Sequence, residues 1–523
     1  MSLIPSSRRG ALWRFSLGAL IVIAFTATTT SVAGLLQFKQ LATDLSLSPA
    51  IKHAQVTIAN PGNPQTLLLI GSDHRAGEPF RAANTDTMML VRLDPNSSTI
   101  NLLSVPRDLE VQIPEGGVPV TSKLNAAYSV GGPNLLVKVL SQQVFPGLQV
   151  NHIIDVNFRG FSDLVDAIGC VYTDVDHRYY NNTAYTGYSS IDIQPGYQKL
   201  CGDNQSPSGA LAFVRFRHTD TDIVRNARQQ DFLRWAKTQF SASKLIGSRD
   251  KLLQIFGSNA QTDSNLHSID GVINLFNLVA FSAGHTVKQI PFPAILLPCG
   301  TLAPAAGGVV RQTAACYVTA DPGAEHYAFT QFMKPTLAPA TTGAQAAGGP
   351  KQPKLGPAKA PSPSNANLIA DPGDGKSQAA ALGRVGMPVY YPRLIAAGSN
   401  YCLSLTGNCP VASFTSVPYP RAYLIHDPSG ATHVAYRMTL EANAALGEYY
   451  GVQGTTWQTP PILGSPTETR TVAGKQLMLF FNGHKLSLAA WRTPRGVYWI
   501  SNTLIDSLTN QQMIGIAASL SKA

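Results

Sequence analysis

Residues 214–230 read V-R-F-R-H-T-D-T-D-I-V-R-N-A-R-Q-Q, which puts four arginines, two aspartates and two glutamines into a short stretch of a chain that is only 13% charged. Arg215 and Arg217 are two apart, so on an extended segment both guanidinium groups fall on one side. From Ile223 onward the spacing turns helical, and Arg225, Gln229, Phe232 and Ala236 share one face. Paired guanidiniums make planar, two-pronged contacts to phosphate, where lysine offers only a point charge. A solvated helix start, with Asp220 and Asp222 favoured near its N-terminus by the helix dipole, is the competing reading of the same residues. His218 beside the arginines reads as a hydrogen-bonding partner rather than a catalyst.

Other charged groups fall at the ends of apolar runs. Thr66 to Ile70 is a buried-strand pattern stopped by Gly71, with Asp73 just beyond it. Asn84-Thr85-Asp86 precedes a second strand, Thr87 to Leu93. A third, Thr99 to Val105, leads into Pro106-Arg107-Asp108, and Lys123 follows. Strand ends are where open α/β sheets put their ligand crevice. Two carboxylates there, Asp73 and Asp86, suit a magnesium ion that also takes phosphate oxygens. Each also has a plain structural use, in a cap or a turn.

The elements that must position these groups follow in order. Leu135, Leu136, Val139 and Leu140 lie at helical spacing behind Pro133, which suits a first helical turn. Ile153 to Phe158 reads as a strand, and Phe161, Leu164, Val165 and Ile168 as the stripe of a helix closed by Gly169. Residues 176–200 read as loop, 252–278 as mainly helix, and Val287 to Pro293 as a strand. Residues 336–385 are rich in Ala, Pro, Gly and Lys and read as a linker. Beyond it, residues 386–523 form a small α+β domain, with strands expected at 422–425, 434–438, 477–481 and 496–500 and a closing helix at 503–520. No catalytic constellation is visible there.

The N-terminus has its own signature. Arg8, Arg9 and Arg14 precede an uncharged run from Phe15 to Phe38, long enough to span a bilayer. The bias of positive charge puts the N-terminus in the cytoplasm and everything beyond Lys39 outside, on a single-pass anchor. A cleaved signal peptide competes, although Ser31-Val32-Ala33 matches a cleavage site only loosely. Residues 1–38 are thus the tip and anchor, 39–64 a connector, and 65–335 the main domain. The net charge of +10 fits an anionic membrane or polymer. No zinc-finger spacing and no aromatic-interleaved basic cluster points to nucleic acid. Six cysteines, Cys170, Cys201, Cys299, Cys316, Cys402 and Cys409, contain no C-x-x-C pair. An exported chain with an even number points to disulfides, and sequential pairing is the simplest scheme because each pair then stays within one domain.

T-D-T-M-M-L-V, S-V-P-R-D, K-L-N-A-A-Y, V-N-F-x-G-F and V-R-F-R-H…R-N-A-R-Q-Q occur in one order between about residues 65 and 295. Together they resemble the LytR–CpsA–Psr family of membrane-anchored cell-envelope phosphotransferases. The resemblance implies an α/β fold, a central mixed sheet flanked by helices, with an apolar pocket for a polyprenyl chain. It implies an enzyme that moves an anionic glycopolymer from a polyprenyl-pyrophosphate carrier to peptidoglycan. By position, Asp73 and Asp86 match metal-holding acids, for Mg2+ or Mn2+, and Arg107, Arg215 and Arg217 match a pyrophosphate clamp. Lys123, Arg225 and Gln229 match further polar residues of that site. Asp108 is expected to orient Arg107 or to act as a base. Leu135, Leu136, Val139 and Leu140 are the candidates for the lipid pocket. Two departures stand out: Asn84 occupies a place where relatives carry arginine, with Arg81 a possible substitute, and residues 386–523 do not resemble the usual C-terminal domain. A non-catalytic binder of polyprenyl-linked or anionic wall material, and a pyrophosphatase acting on the carrier, are the alternatives.

Overall fold

The computed structural model describes residues 50–51, 56–60, 62–74, 83–181, 190–202, 209–216, 220–240, 251–302 with short interruptions, 315–336, 361–402, 409 and 419–523. The expected anchor, most of the connector, Arg81, Arg217 and His218 lie outside these residues. Among the described residues no helix is long and apolar enough to cross a membrane.

The first half begins β1 (Ala50–Ile51), β2 (Gln65–Ser72), β3 (Thr85–Leu93), β4 (Thr99–Ser104), β5 (Glu110–Glu115), β6 (Val118–Lys123) and α1 (Leu124–Val139). It continues β7 (His152–Asn157), α2 (Phe158–Ala167), β8 (Val171–Val175), β9 (Tyr179–Asn181), β10 (Ile191–Ile193) and β11 (Gly196–Leu200). Then come α3 (Ala210–Arg215), α4 (Asp222–Gln239), β12 (Ala260–Asp263), β13 (Thr286–Ile290), β14 (Ala294–Leu296), β15 (Val318–Ala320) and α5 (Pro322–Met333). Seven strands form one mixed sheet in the order β1-β12-β7-β2-β3-β4-β13. Its centre, β2, pairs antiparallel with β3 and parallel with β7, and its T-L-L-L-I run is buried except for the half-buried Leu69, as a central strand requires.

The helix α1 breaks at Gly131 and Gly132, where Gly132 has φ 65 and ψ −162, and Pro133 restarts it. Only glycine takes that backbone without strain. Leu136, Val139 and Leu140 are buried in the first core with Leu68, Leu90 and Leu103, and Leu135 packs against it. Each such leucine contributes about 2 kcal/mol by leaving water. Of the four residues read as a prenyl-pocket lining, Leu136, Val139 and Leu140 are core residues of the helix–sheet contact and Leu135 lies at its margin. The β5–β6 hairpin was not expected. Gly116 and Gly117, at φ 61 and 88, make its tight turn, and Val118 and Val120 stay exposed, so its apolar signal is slight.

The expected helix over 252–278 is interrupted by β12, whose A-Q-T-D has no apolar period and is held as a strand by pairing with β7. The loop-rich 176–200 contains β9, β10 and β11, the last paired with β8. The expected linker ends early. Residues 361–385 carry β16 (Leu368–Ala370) and α6 (Pro372–Ala381), the latter capped by Asp371, whose side chain accepts from Asp374 N. Ala366, Leu368, Ala379 and Leu382 are buried in the second core, which is why this stretch folds with the C-terminal half.

That half continues β17 (Tyr390–Tyr391), β18 (Leu394–Ala396), β19 (Asn400–Tyr401), β20 (Arg421–His426), β21 (Thr432–Asn443) and β22 (Glu448–Thr455). It ends β23 (Glu468–Val472), β24 (Lys475–Asn482), β25 (Lys485–Thr493), β26 (Gly496–Ser501), α7 (Asn510–Ser519) and β27 (Ser521–Lys522). It is β-rich: eight strands form one sheet, with β19-β21-β22-β26-β25-β24-β23 in order and β20 beside β21. The closing helix starts at 510 rather than 503, because Thr509 and Gln512 form a capping box there. The three sequential disulfides are formed, Cys170–Cys201, Cys299–Cys316 and Cys402–Cys409.

The halves share a third core in which Tyr172, Tyr197, Phe213 and Trp235 pack with Trp457, Leu488 and Trp499. Arg437 of β21 reaches across to Asp174 of β8, 3.1 Å from both carboxylate oxygens.

Candidate active site

Antiparallel pairing brings the end of β2, the start of β3 and the end of β4 to one edge of the sheet. Gly71 faces Thr87 while Ser72 faces Thr85, so Asp86 is the extra residue of a β-bulge. A bulge re-aims the side chain it carries, and here it sends Asp86 toward the end of β4. Asp73 sits on the other side of the same corner. Its N–H donates to Asn84 O at 3.1 Å, and Asn84 N donates to Asp73 Oδ1 at 2.5 Å. Asn84 thus clamps Asp73 through its backbone.

Arg107 is fixed by its main chain on both sides. Its N–H donates to Asp222 Oδ2 at 3.0 Å, and its carbonyl accepts from Asn125 N at 3.0 Å. Its guanidinium pairs with Asp86 Oδ1, while Arg215 Nε lies 3.2 Å from Asp86 Oδ2. The Arg215 guanidinium also stacks 3.8 Å above the Phe158 ring, which holds its plane. Arg225 is buried behind them, its NH2 2.5 Å from Asp222 Oδ1. Burial would raise the Asp86 carboxyl, but Arg225, Arg215 and Arg107 outweigh it and hold it below its ordinary value. The result is an ionised carboxylate held by two arginines, one on each oxygen, with a third cation close by.

Asp108 accepts from Lys123 at 2.9 Å and lies 3.8 Å from Arg107 Nε. That arrangement makes it an orienting partner of two cations rather than a group with its lone pairs turned to an acceptor. Gln229, expected at the anion site, is buried and donates through Nε2 to Val214 O at 3.1 Å. One turn beyond Arg225, it faces α3 instead, and it ties that helix to α4.

Two contributions were not anticipated from the sequence. Arg228 is fully buried, pairs with Asp220, and donates to the carbonyls of Phe213 and Phe216, each at 2.9 Å. It therefore fixes the turn from which Arg215 projects. Its place in R-N-A-R-Q-Q was the available signal, but three arginines in one helix do not announce which one points inward. The second is Asp155 on β7, whose carboxylate accepts from Ser72 Oγ at 2.7 Å and Tyr128 OH at 2.5 Å. These bonds tie β7 and α1 to the strand end that carries Asp73.

Burial pushes the Asp155 carboxyl up to about 6, although Tyr128 and Ser72 pull the other way. With the folded value above the unfolded one, folding takes up a proton, so stability rises as the pH falls from 7 through 6 toward 4. Asp155→Asn is expected to remove this slope. Urea melts of wild type and variant at pH 7 and pH 5 should show the wild type gaining about 1 kcal/mol relative to the variant at the lower pH. Parallel behaviour at both pH values would reject the assignment.

Residues 34–294 match the LytR_cpsA_psr family model. With Asp86, Arg107, Arg215 and Arg225 already converging in space, that match decides the family. Through residues 34–294 the chain belongs to the LytR–CpsA–Psr family. It is 31% identical over 215 residues to a protein of Oceanobacillus iheyensis named polyisoprenyl-teichoic acid–peptidoglycan teichoic acid transferase TagU, covering 40% of this chain and 61% of that one. It is 33% identical over 178 residues to a probable cell wall biosynthesis protein LcpB of Corynebacterium glutamicum, covering 32% of this chain and 39% of that one. The chain spans about half of the length of the curated relatives it matches. Among solved structures it resembles Bacillus subtilis TagV at 22% identity and a TM-score of 0.39, over 52% of this chain and 97% of that one. The C-terminal half, from residue 361, lies outside the LytR–CpsA–Psr match.

Proposed function

We propose that this LytR–CpsA–Psr protein is a phosphotransferase that moves an anionic glycopolymer from a polyprenyl-pyrophosphate carrier to cell-wall peptidoglycan, outside a membrane to which residues 1–38 anchor it. The observation that carries the reading is the convergence of Arg107 and Arg215 on one carboxylate with Arg225 behind. A carboxylate, like a phosphate, offers a pair of anionic oxygens, so two guanidiniums that each meet one oxygen of Asp86 can meet a pyrophosphate oxygen pair in the same way. The names of the relatives supply the donor and acceptor classes.

In the reaction an acceptor hydroxyl oxygen attacks the glycan-side phosphorus. The bond to the bridging oxygen breaks, polyprenyl phosphate leaves with that electron pair, and the hydroxyl proton passes to solvent. Arg107 and Arg215 hold the negative charge that spreads over the phosphoryl oxygens, and Arg225 adds to the field from a dry position. Asp108 and Lys123 keep the Arg107 side chain in line. Asp73 and Asp86, two carboxylates at one strand edge with Asp86 kept ionised, fit a Mg2+ or Mn2+ ion. Bound there, the ion would neutralise pyrophosphate charge. Arg107 and Arg215 would then turn from Asp86 to the substrate.

The test is mass spectrometry of lipid extracted from the purified full chain, followed by turnover with and without metal. The expected result is a polyprenyl phosphate or pyrophosphate in the wild type, its loss in an Arg107→Ala, Arg215→Ala double variant, and turnover that stops on chelation and returns with Mg2+. An empty protein that also fails to bind added polyprenyl pyrophosphate with Mg2+ would reject the carrier site and leave a wall-binding role in front. Release of polyprenyl phosphate without transfer to any glycan would make it a pyrophosphatase.

A further inference from the structure

A second opening lies beside the arginine site, and the C-terminal half closes it. Asp222 and Arg225 of α4 face Arg107. Ile223 and Asn226, each one residue further and so turned by about 100°, and Gln230, one turn beyond Asn226, line a cleft of about 110 Å³. Pro106 lines this cleft, and the next residue, Arg107, grips Asp86, so the two places are one residue apart, about 3.8 Å along the chain.

The far wall belongs to the C-terminal half. Gln289 N donates to Asn482 Oδ1 at 3.0 Å, and Asn482 Nδ2 donates to Gln289 Oε1 at 2.8 Å, so the two halves meet through paired amides. Asn482 Nδ2 also donates to Asp506 Oδ2 at 3.2 Å, and Lys485 Nζ donates to Asp506 O at 3.3 Å. Asn226 lines the cleft and is 7% exposed, and its Nδ2 is buried without a hydrogen-bond partner. A buried amide donor left unsatisfied is rare and asks for a ligand that accepts.

The lining distinguishes ligand classes. Four amide side chains with one lysine and one aspartate read hydroxyl and acetamido groups, which both donate and accept. Phe292 and Leu504 add flat apolar surface for the carbon face of a sugar ring. Arg107 and Arg225, which would hold a polyanion, meet at Asp222 instead, outside the lining of this cleft. A prenyl tail would leave Asn226 Nδ2 without an acceptor.

We propose that this cleft binds the acceptor glycan strand, a polymer of N-acetylated amino sugars, and that the C-terminal half exists in this chain to supply one of its walls. The inference rests on the transferase reading for why a glycan belongs here, and on the cleft's own lining for where it sits. A glycan laid along Pro106 brings a sugar hydroxyl up to the phosphate held by Arg107, without contacting the donor's carrier.

The test is a pair of calorimetric titrations of the full chain in detergent, one with N-acetylglucosamine tetramer and one with polyprenyl pyrophosphate. Asn226→Leu and Lys485→Glu are expected to weaken tetramer binding at least tenfold while changing donor affinity less than twofold. Lys485 is exposed at the start of β25, so its variant decides the matter if Asn226→Leu fails to fold. Unchanged tetramer affinity in a folded variant, or no tetramer binding by the wild type, overturns the proposal. Loss of donor affinity with tetramer affinity intact also overturns it and gives the cleft to the lipid tail. Tetramer binding that falls in the variants, in a protein that binds no donor, supports the cleft and rejects the transferase reading instead.

Discussion

Arg107→Ala is expected to lower kcat/KM for glycopolymer transfer about 10³-fold, and Arg215→Ala about 10²-fold. The order follows from their settings. Arg107 is 17% exposed at the side chain and anchored at both its N–H and its carbonyl, whereas Arg215 is 41% exposed and held by a ring stack and one carboxylate. A drier and better fixed cation does more for a charge that develops in the transition state. Arg107→Lys keeps the charge and loses the fork, and is expected to recover only part of the loss. The two arginines grip one carboxylate, so the double variant should lose less than the product of the single losses. Steady-state kinetics on all four proteins checks this. A single Arg107→Ala loss below about fivefold would remove it from the chemistry.

Much of this arrangement was legible in the sequence. The strands carrying Asp73, Asp86 and Arg107 are apolar runs of the right length, and antiparallel pairing of neighbours puts those ends together. What could not be read was long-range. The bulge at Asp86 depends on a register slip against Gly71, which no residue type in T-D-T announces. Gln229 has the same helical face as Arg225, and only the position of α3 shows that it serves Val214 instead. Asp155 sits in a plain strand, and its role requires Ser72 and Tyr128 from elements 83 and 27 residues away. Strand β12 and the stretch 361–385 fold because partners far along the chain receive them, against weak local signals. Above all, residues 386–523 read as a separate domain, and Trp457 and Trp499 among them pack against the family domain instead.

That shared interface sets the largest expected stability effect. Asp174 is buried, and it accepts from Arg437 and from Trp499 Nε1, the latter at 3.0 Å. Burial raises its carboxyl above the ordinary value even with Arg437 pulling it down. Arg437→Ala leaves that carboxylate without its counter-charge in the interface, at a cost of about 3–5 kcal/mol. In a chain this long, whose halves share a core, the melting temperature should fall by about 3–6 °C. Without Arg437 the folded value rises further above the unfolded one, so the variant recovers stability as the pH falls from 8 to 5 and the carboxyl takes a proton. Asp174→Leu with Arg437→Met removes both charges and should restore most of the loss, because the cost comes from the unpaired ion and not from the missing pair. Calorimetric scans of wild type, single and double variants at pH 8 and pH 5 measure all of this. If Arg437→Ala melts as the wild type does at pH 8, the aromatic contacts alone join the halves. A split into two transitions would show that this one buried pair makes them melt as a unit, and the wall of the cleft beside Arg107 would then be the first thing lost on warming.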